Sequence, residues 1–198
     1  MCRLVESIKV EDGRPRNLTF HNRRMNSARS ALFGRSDHID LGGVLTVPSS
    51  CRSGVFKCRV VYAHDIIAVE FVRYERRIIR SLKAVYDDVI DYAYKYEDRE
   101  SIQKLLEQKE DCDDILIIKN NLVTDTSFSN ITCYDGDRWV TPSTPLLKGT
   151  KRDSLLSEGI IEEEIISVSD LRRFFRLSFI NAMLDLGDSV IDIADIVL

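Results

Sequence analysis

Cysteine is sparse and odd in number: Cys2, Cys51, Cys58, Cys112 and Cys133, with no CxxC pair among them. Such a set builds no disulfide framework, and it reads as reduced thiols of a cytosolic protein. Cys51 and Cys58, with His64 downstream, lack metal-ligand spacing, so no zinc site is expected. No apolar run approaches the roughly 20 residues that span a bilayer. Arg3, Glu6, Lys9 and Glu11 break the N-terminus before the apolar region of a signal peptide could form. An excess of basic charge is missing too. With 28 Lys and Arg against 32 Asp and Glu, the formal net charge of −4 argues against a nucleic-acid surface. Internal repeats and low-complexity tracts are absent. These absences point to a soluble, intracellular protein, with 198 residues to fill one large domain or two small ones.

The most informative stretch is residues 114–152, DILIIKNNLVTDTSFSNITCYDGDRWVTPSTPLLKGTKR. Residues 115–118 form a β-rich apolar run, and Asn120-Asn121 is a turn signal. A second strand runs through Val123 until small polar residues, 125–130, interrupt it. Residues 131–134 resume the strand, and Asp135-Gly136-Asp137 turns it back into Trp139-Val140. Gly149-Thr150 stands just before an amphipathic segment, where the N–H groups of a helix start can bind an anion. Small hydroxylated residues, one carboxylate inside a sheet and a Gly-Thr helix entry together suggest a phosphorylated cofactor.

This order of elements resembles the class IV family of pyridoxal-phosphate (PLP) enzymes, which includes branched-chain and D-amino-acid aminotransferases and 4-amino-4-deoxychorismate lyase. The family motif is an acidic residue five positions before an Asn, a strand-turn-strand, Thr-Pro, and a Gly-x-x-Arg helix entry. Here these are Asp125, Asn130, Thr141-Pro142 and Gly149 to Arg152, with Asp125 standing where the family usually has Glu. The resemblance implies an α+β, two-domain, D-amino-acid-aminotransferase-like fold with the cofactor in the interdomain cleft. The domains would be residues 1–88 and 89–198, and the molecule a homodimer.

Further site residues follow from the same resemblance. Lys95, thirty positions before Asp125 and four before Arg99, falls where the family has its Schiff-base lysine. Asp125 would pair with the pyridine nitrogen, and Asn130 would support its loop. His21-Asn22-Arg23-Arg24 resembles the family's His-x-x-Arg and makes Arg24 a phosphate ligand, with His21 a packing residue. The N–H groups of Thr150 and Lys151 would share that phosphate, with Asn181 and Ala182 as further neighbours. Ser7 and Lys9, on one face of a strand over residues 4–10, are candidate substrate contacts. Arg77, from the run Arg73, Arg76, Arg77 and Arg80, is the candidate for a substrate carboxylate. The segment Phe179-Ile180-Asn181-Ala182-Met183 is more similar to the lyase branch, and the short chain without an obvious α-carboxylate trap points the same way. A class IV aminotransferase is the alternative.

Elsewhere, helix periodicity with a Gly34 stop predicts a helix over residues 17–33. Strands are expected at 44–47, 58–63, 66–74 and 81–90, and a helix through Ile102, Leu105 and Leu106. Residues 169–175 are expected to be helical with an N-cap but no capping box.

Overall fold

In the computed structural model, which describes residues 2–198, the alternation of LVESIKVE becomes strand β1 (Leu4–Glu11). Asp12 and Gly13 take left-handed conformations, φ 49° and 77°, and turn the chain into the two-residue β2 (Arg14–Pro15). Helix α1 (Leu18–Phe33) follows and stops where Gly34 takes φ 65° and returns its N–H to the carbonyls of Arg29 and Ser30. That is the glycine-capped ending expected from the sequence. A short helix, α2 (Leu41–Val44), then β3 (Val55–Tyr62) and β4 (Ile66–Arg73), complete a sheet in the order β2-β1-β3-β4.

β1 and β3 pair antiparallel over eight residues, from Leu4↔Tyr62 to Glu11↔Val55. One face of β1 carries Leu4, Glu6, Ile8 and Val10, all fully buried. Met25 and Ala28 of α1 join Leu4, Ile8, Val10, Val60 and Tyr62 in one apolar cluster. A carboxylate in the middle of this face is the exception to its pattern. The segment Tyr94–Asp98 belongs to the same unit, which otherwise comprises Met1–Arg76. It pairs with the start of β1, through a Leu4↔Tyr96 bridge and a 2.9 Å hydrogen bond from the Val5 N–H to the Lys95 carbonyl.

The second unit comprises Arg77–Ala93 and Arg99–Leu198. It contains β5 (Leu82–Tyr86), α3 (Glu100–Leu106), β6 (Asp114–Lys119), β7 (Leu122–Thr126), β8 (Asn130–Tyr134), β9 (Trp139–Pro142) and α4 (Thr150–Ser157). The strands β10 (Glu162–Glu164), β11 (Arg176–Ile180), β12 (Val190–Asp192) and β13 (Ile196–Val197) complete it. Two sheets result, in the orders β13-β5-β6-β7 and β10-β9-β8-β11-β12. Asn120 and Asn121 both adopt positive φ, 52° and 61°, and close the β6–β7 hairpin as the Asn-Asn signal requires. Leu116, Ile118, Val123, Ile131, Cys133, Leu177 and Phe179, all fully buried, share one core between the two sheets.

Two local expectations are corrected. Residues 44–47 form no strand. Asp40 accepts the Gly42 N–H and starts α2 instead, a side-chain cap that outcompetes the β preference of Val44. A capping box is present at the 3₁₀ helix Val168–Arg173, because the cap is Ser167 rather than Ser169 and Asp170 supplies the returning carboxylate. Among the described residues no helix is long and apolar enough to cross a membrane.

Phe179 is completely buried and stacks on Phe128, with ring centroids 5.9 Å apart. Phe179→Ala is expected to lower unfolding free energy by about 3–5 kcal/mol in urea titrations, with an unchanged denaturant dependence.

Candidate functional site

The second unit gathers Asp125, Leu147 and Gly149 around the side chain of Asn130. β7 ends at Thr126 and β8 starts at Asn130, so the intervening turn brings Asn130 back beside Asp125. The Asn130 amide donates to Asp125 Oδ1 at 2.7 Å and to the Leu147 carbonyl at 2.8 Å. The Leu147 N–H donates in turn to Asp125 Oδ2 at 3.0 Å. Both Asp125 oxygens are thus held, and the loop ahead of α4 is tied to the sheet.

The next constraint is steric. A Cβ placed on Gly149 would sit 2.0 Å from Asn130 Oδ1, so only glycine fits. Gly149 is also the cap residue of α4 and offers no side-chain acceptor to the first-turn N–H groups of Thr150 and Lys151. Thr150 is buried, while the Lys151 ammonium pairs with Asp185. Arg152 is fully buried beneath this turn and donates to the Pro142 carbonyl at 2.9 Å and to Glu163 at 2.5 Å. The Gly-x-x-Arg entry therefore combines a backbone position that admits no side chain with a structural arginine.

Asp125 is 6 % exposed, and burial pushes its carboxyl up to about 6 against the pull of the Leu147 N–H, Asn130 and the charge of Arg152. Its contacts are neutral donors, which hold the group in place without matching its charge. Asn181 sits at the end of β11, half-buried. Its side-chain Oδ1 accepts the N–H groups of Met183 and Leu184, which shapes the turn that holds Ala182. Arg77 is exposed and stands over the Phe128 ring, 5.8 Å from its centroid.

The first unit holds the remaining candidates. Lys95 is half-buried on the segment paired with β1, its carbonyl fixed by Val5. Ser7 and Lys9 lie on the face of β1 opposite its buried face, both half-buried, and Lys9 reaches Glu11 at 3.5 Å. Arg24 is on α1 and grips Glu6 with two bonds, Nε to Oε1 at 2.9 Å and Nη2 to Oε2 at 2.5 Å. His21, one turn earlier, puts Nδ1 2.6 Å from Glu6 Oε2. Glu6 is the residue that the sequence reading passed over. The signal was there, in a carboxylate at a position of β1 whose neighbours on that face are all apolar. Burial would raise its pKa, but Arg24 and His21 outweigh that and hold it at about 2. For His21 burial dominates and lowers the pKa despite Glu6, so the ring is neutral at pH 7 and donates Nδ1–H.

Comparison with known proteins gives this architecture a family. Residues 100–188 match the model of the class IV amino-transferases. A crystal structure from Haemophilus somnus 129PT, bearing the provisional name 4-amino-4-deoxychorismate lyase, is 33% identical with a TM-score of 0.88. The similarity covers 94% of this chain and 98% of that one. An uncharacterized protein of Haemophilus influenzae is 36% identical over 185 residues, 92% of this chain and 98% of its own. A hypothetical aminotransferase from Mycobacterium tuberculosis, solved with PLP bound, shares the fold at 14% identity, with a TM-score of 0.77 over 98% of this chain and 81% of that one.

The chain belongs to the class IV amino-transferase family, and its cofactor is pyridoxal phosphate. The residues present fit that group. Asp125 is a buried acid lacking a matched cation, as a partner for a protonated ring nitrogen should be. The glycine-capped start of α4 suits a phosphate.

Two outcomes test this geometry. Gly149→Ala is expected to dislodge Asn130, break its two buried hydrogen bonds and cost about 2–3 kcal/mol in chemical unfolding. The second concerns acid. Because the folded pKa of Asp125 lies above its unfolded value of 3.8, the cofactor-free protein binds that proton more tightly than the unfolded chain does. Stability from this group is therefore present below pH 3.8 and falls by about 1.4 kcal/mol per pH unit on going from pH 4 towards 6. Unfolding free energies measured across that range should lose this slope in Asp125→Asn.

Proposed function

We propose that the protein is a PLP-dependent 4-amino-4-deoxychorismate lyase, which eliminates pyruvate to leave p-aminobenzoate for folate synthesis. The observation that carries this reading is the similarity, over nearly the full length of both chains, to the Haemophilus somnus protein that bears the lyase name. The bound cofactor supplies an electron sink for the carbanion that forms beside the substrate's amino group.

The roles of the chain's own residues follow from their chemistry. Lys95 Nζ would hold the cofactor and would accept the proton from the substrate carbon that bears the amine. Asp125 would pair with the protonated pyridine nitrogen, which would match its buried charge with a cation. Arg24, the Thr150 and Lys151 N–H groups, and Asn181 with Ala182 hold the phosphate. Asn130 keeps Asp125 and the loop before α4 in register. Ser7, Lys9 and Arg77 contact the substrate and its carboxylates. The reading includes a cytoplasmic homodimer.

A class IV aminotransferase acting on branched-chain or D-amino acids is the second reading, favoured by the family model itself. It would differ in outcome, transferring the amino group instead of eliminating pyruvate.

The discriminating assay follows p-aminobenzoate and pyruvate from aminodeoxychorismate with wild type and Lys95→Ala. Release of both products in equal amounts by wild type, and at least 1,000-fold less by the variant, is the expected result. A wild type that binds the cofactor yet releases neither product removes the lyase reading, and amino-donor panels then measure transamination.

A further inference from the structure

Glu6 is the residue of the first unit whose placement stability does not explain. It occupies the buried face of β1 between Leu4 and Ile8, and its cross-strand partner Val60 is fully buried as well. An apolar side chain would continue that face without desolvating a charge. Buried ion pairs commonly contribute no more to stability than apolar residues of similar volume. The arrangement nevertheless commits three side chains to one geometry. His21, itself buried, fixes Oε2 at 2.6 Å, and the same carboxylate takes both Nε and Nη2 of Arg24. Arg24 is 17% exposed at its side chain, so this guanidinium is gripped on its buried edge while part of it reaches the surface of the unit. A two-point contact fixes the plane of a guanidinium as a single contact does not. Lys95 is on the segment hydrogen-bonded to Val5, one residue from Glu6, and its charge is felt at His21.

We propose that Glu6 is a positioning residue for the cofactor's phosphate, holding the Arg24 guanidinium in a fixed plane with His21 locking the carboxylate. This rests on the reading of Arg24 as a phosphate ligand. Glu6 makes no contact with the cofactor in this scheme and acts wholly through Arg24. Without it, Arg24 keeps its charge but samples other rotamers, and phosphate binding then has to order a long side chain.

The experiment compares PLP with pyridoxal, which has the same ring and aldehyde but no phosphate. Each is titrated by absorbance into the cofactor-free full chain, and the ratio of the two dissociation constants is the readout. A general loosening of the fold weakens both ligands together and leaves the ratio unchanged. Loss of phosphate positioning weakens PLP alone. In Glu6→Gln the preference for PLP is expected to fall about 10- to 100-fold, the range seen when a partner that orients a ligating side chain is removed. Arg24→Leu should lower it at least as far, and the double variant should match Arg24→Leu within about 2-fold, because the two residues act as one unit. Glu6→Asp keeps the charge with a shorter reach and should fall between, and it serves as the second variant should Glu6→Gln not fold. A wild-type preference retained in any folded Glu6 variant overturns the inference while leaving the cofactor assignment intact. A wild type that binds neither ligand, or both equally, overturns the phosphate reading and this inference with it.

Discussion

One side-chain amide organises the second unit's site. Asn130 donates both of its amide hydrogens, one to Asp125 and one to the Leu147 carbonyl, and its oxygen fills the space where a side chain on Gly149 would go. Two stretches distant in sequence are thereby held in one arrangement: the turn from β7 to β8, and the loop that runs through Leu147 into the cap of α4. The spacing of Asp125, Asn130 and Gly149 is a consequence of that packing. The acid can be buried only because Asn130 and the Leu147 N–H satisfy its oxygens. Gly149, the cap residue of α4, adds no side-chain acceptor at the helix start.

The two buried carboxylates follow opposite logic. Glu6 is surrounded by Arg24 and His21 and stays ionised far into acid, whereas Asp125 has neutral donors and holds its proton to about pH 6. The first is already matched with a cation of its own unit, which suits a residue that fixes the position of another side chain. The second has its oxygens satisfied and its charge uncompensated, which suits a residue that waits for an external cation. Burial works against both charges, and the difference lies entirely in which partner each one meets.

The packing of Asp125, Asn130 and Gly149 was legible in the sequence because its constraints are local and dense. Asp125, Asn130 and the Gly149 to Arg152 entry are tied by turns and a helix start, so their chemistry shows as fixed spacing. The hairpins at Asn120-Asn121 and Asp135 to Asp137, and the end of α1 at Gly34, were readable for the same reason, since a left-handed turn narrows the residue choice. Glu6 was not readable in this way. Its partners His21 and Arg24 lie on another element, and the carboxylate in LVESIKVE stands out only once α1 is known to cover that face of β1. The α2 helix and the Ser167 capping box were missed on smaller grounds. In each, a single Asp side chain settles a contest that propensity leaves nearly even.

The path of the chain gives the Lys95 segment an unusual place in time. Residues 94–98 complete the first unit by pairing with Leu4 and Val5, but the ribosome makes them only after a stretch, residues 77–93, that belongs to the second. A loop of about 90 residues must close before this pairing exists, and closure entropy grows slowly with loop length, by about 0.6 kcal/mol for each doubling. The pairing is therefore affordable once β1 and β3 have zipped, yet it is among the most non-local contacts of its unit and forms late in synthesis. The first unit can assemble its apolar cluster early in translation, while the lysine that would carry the cofactor reaches its strand partner afterwards.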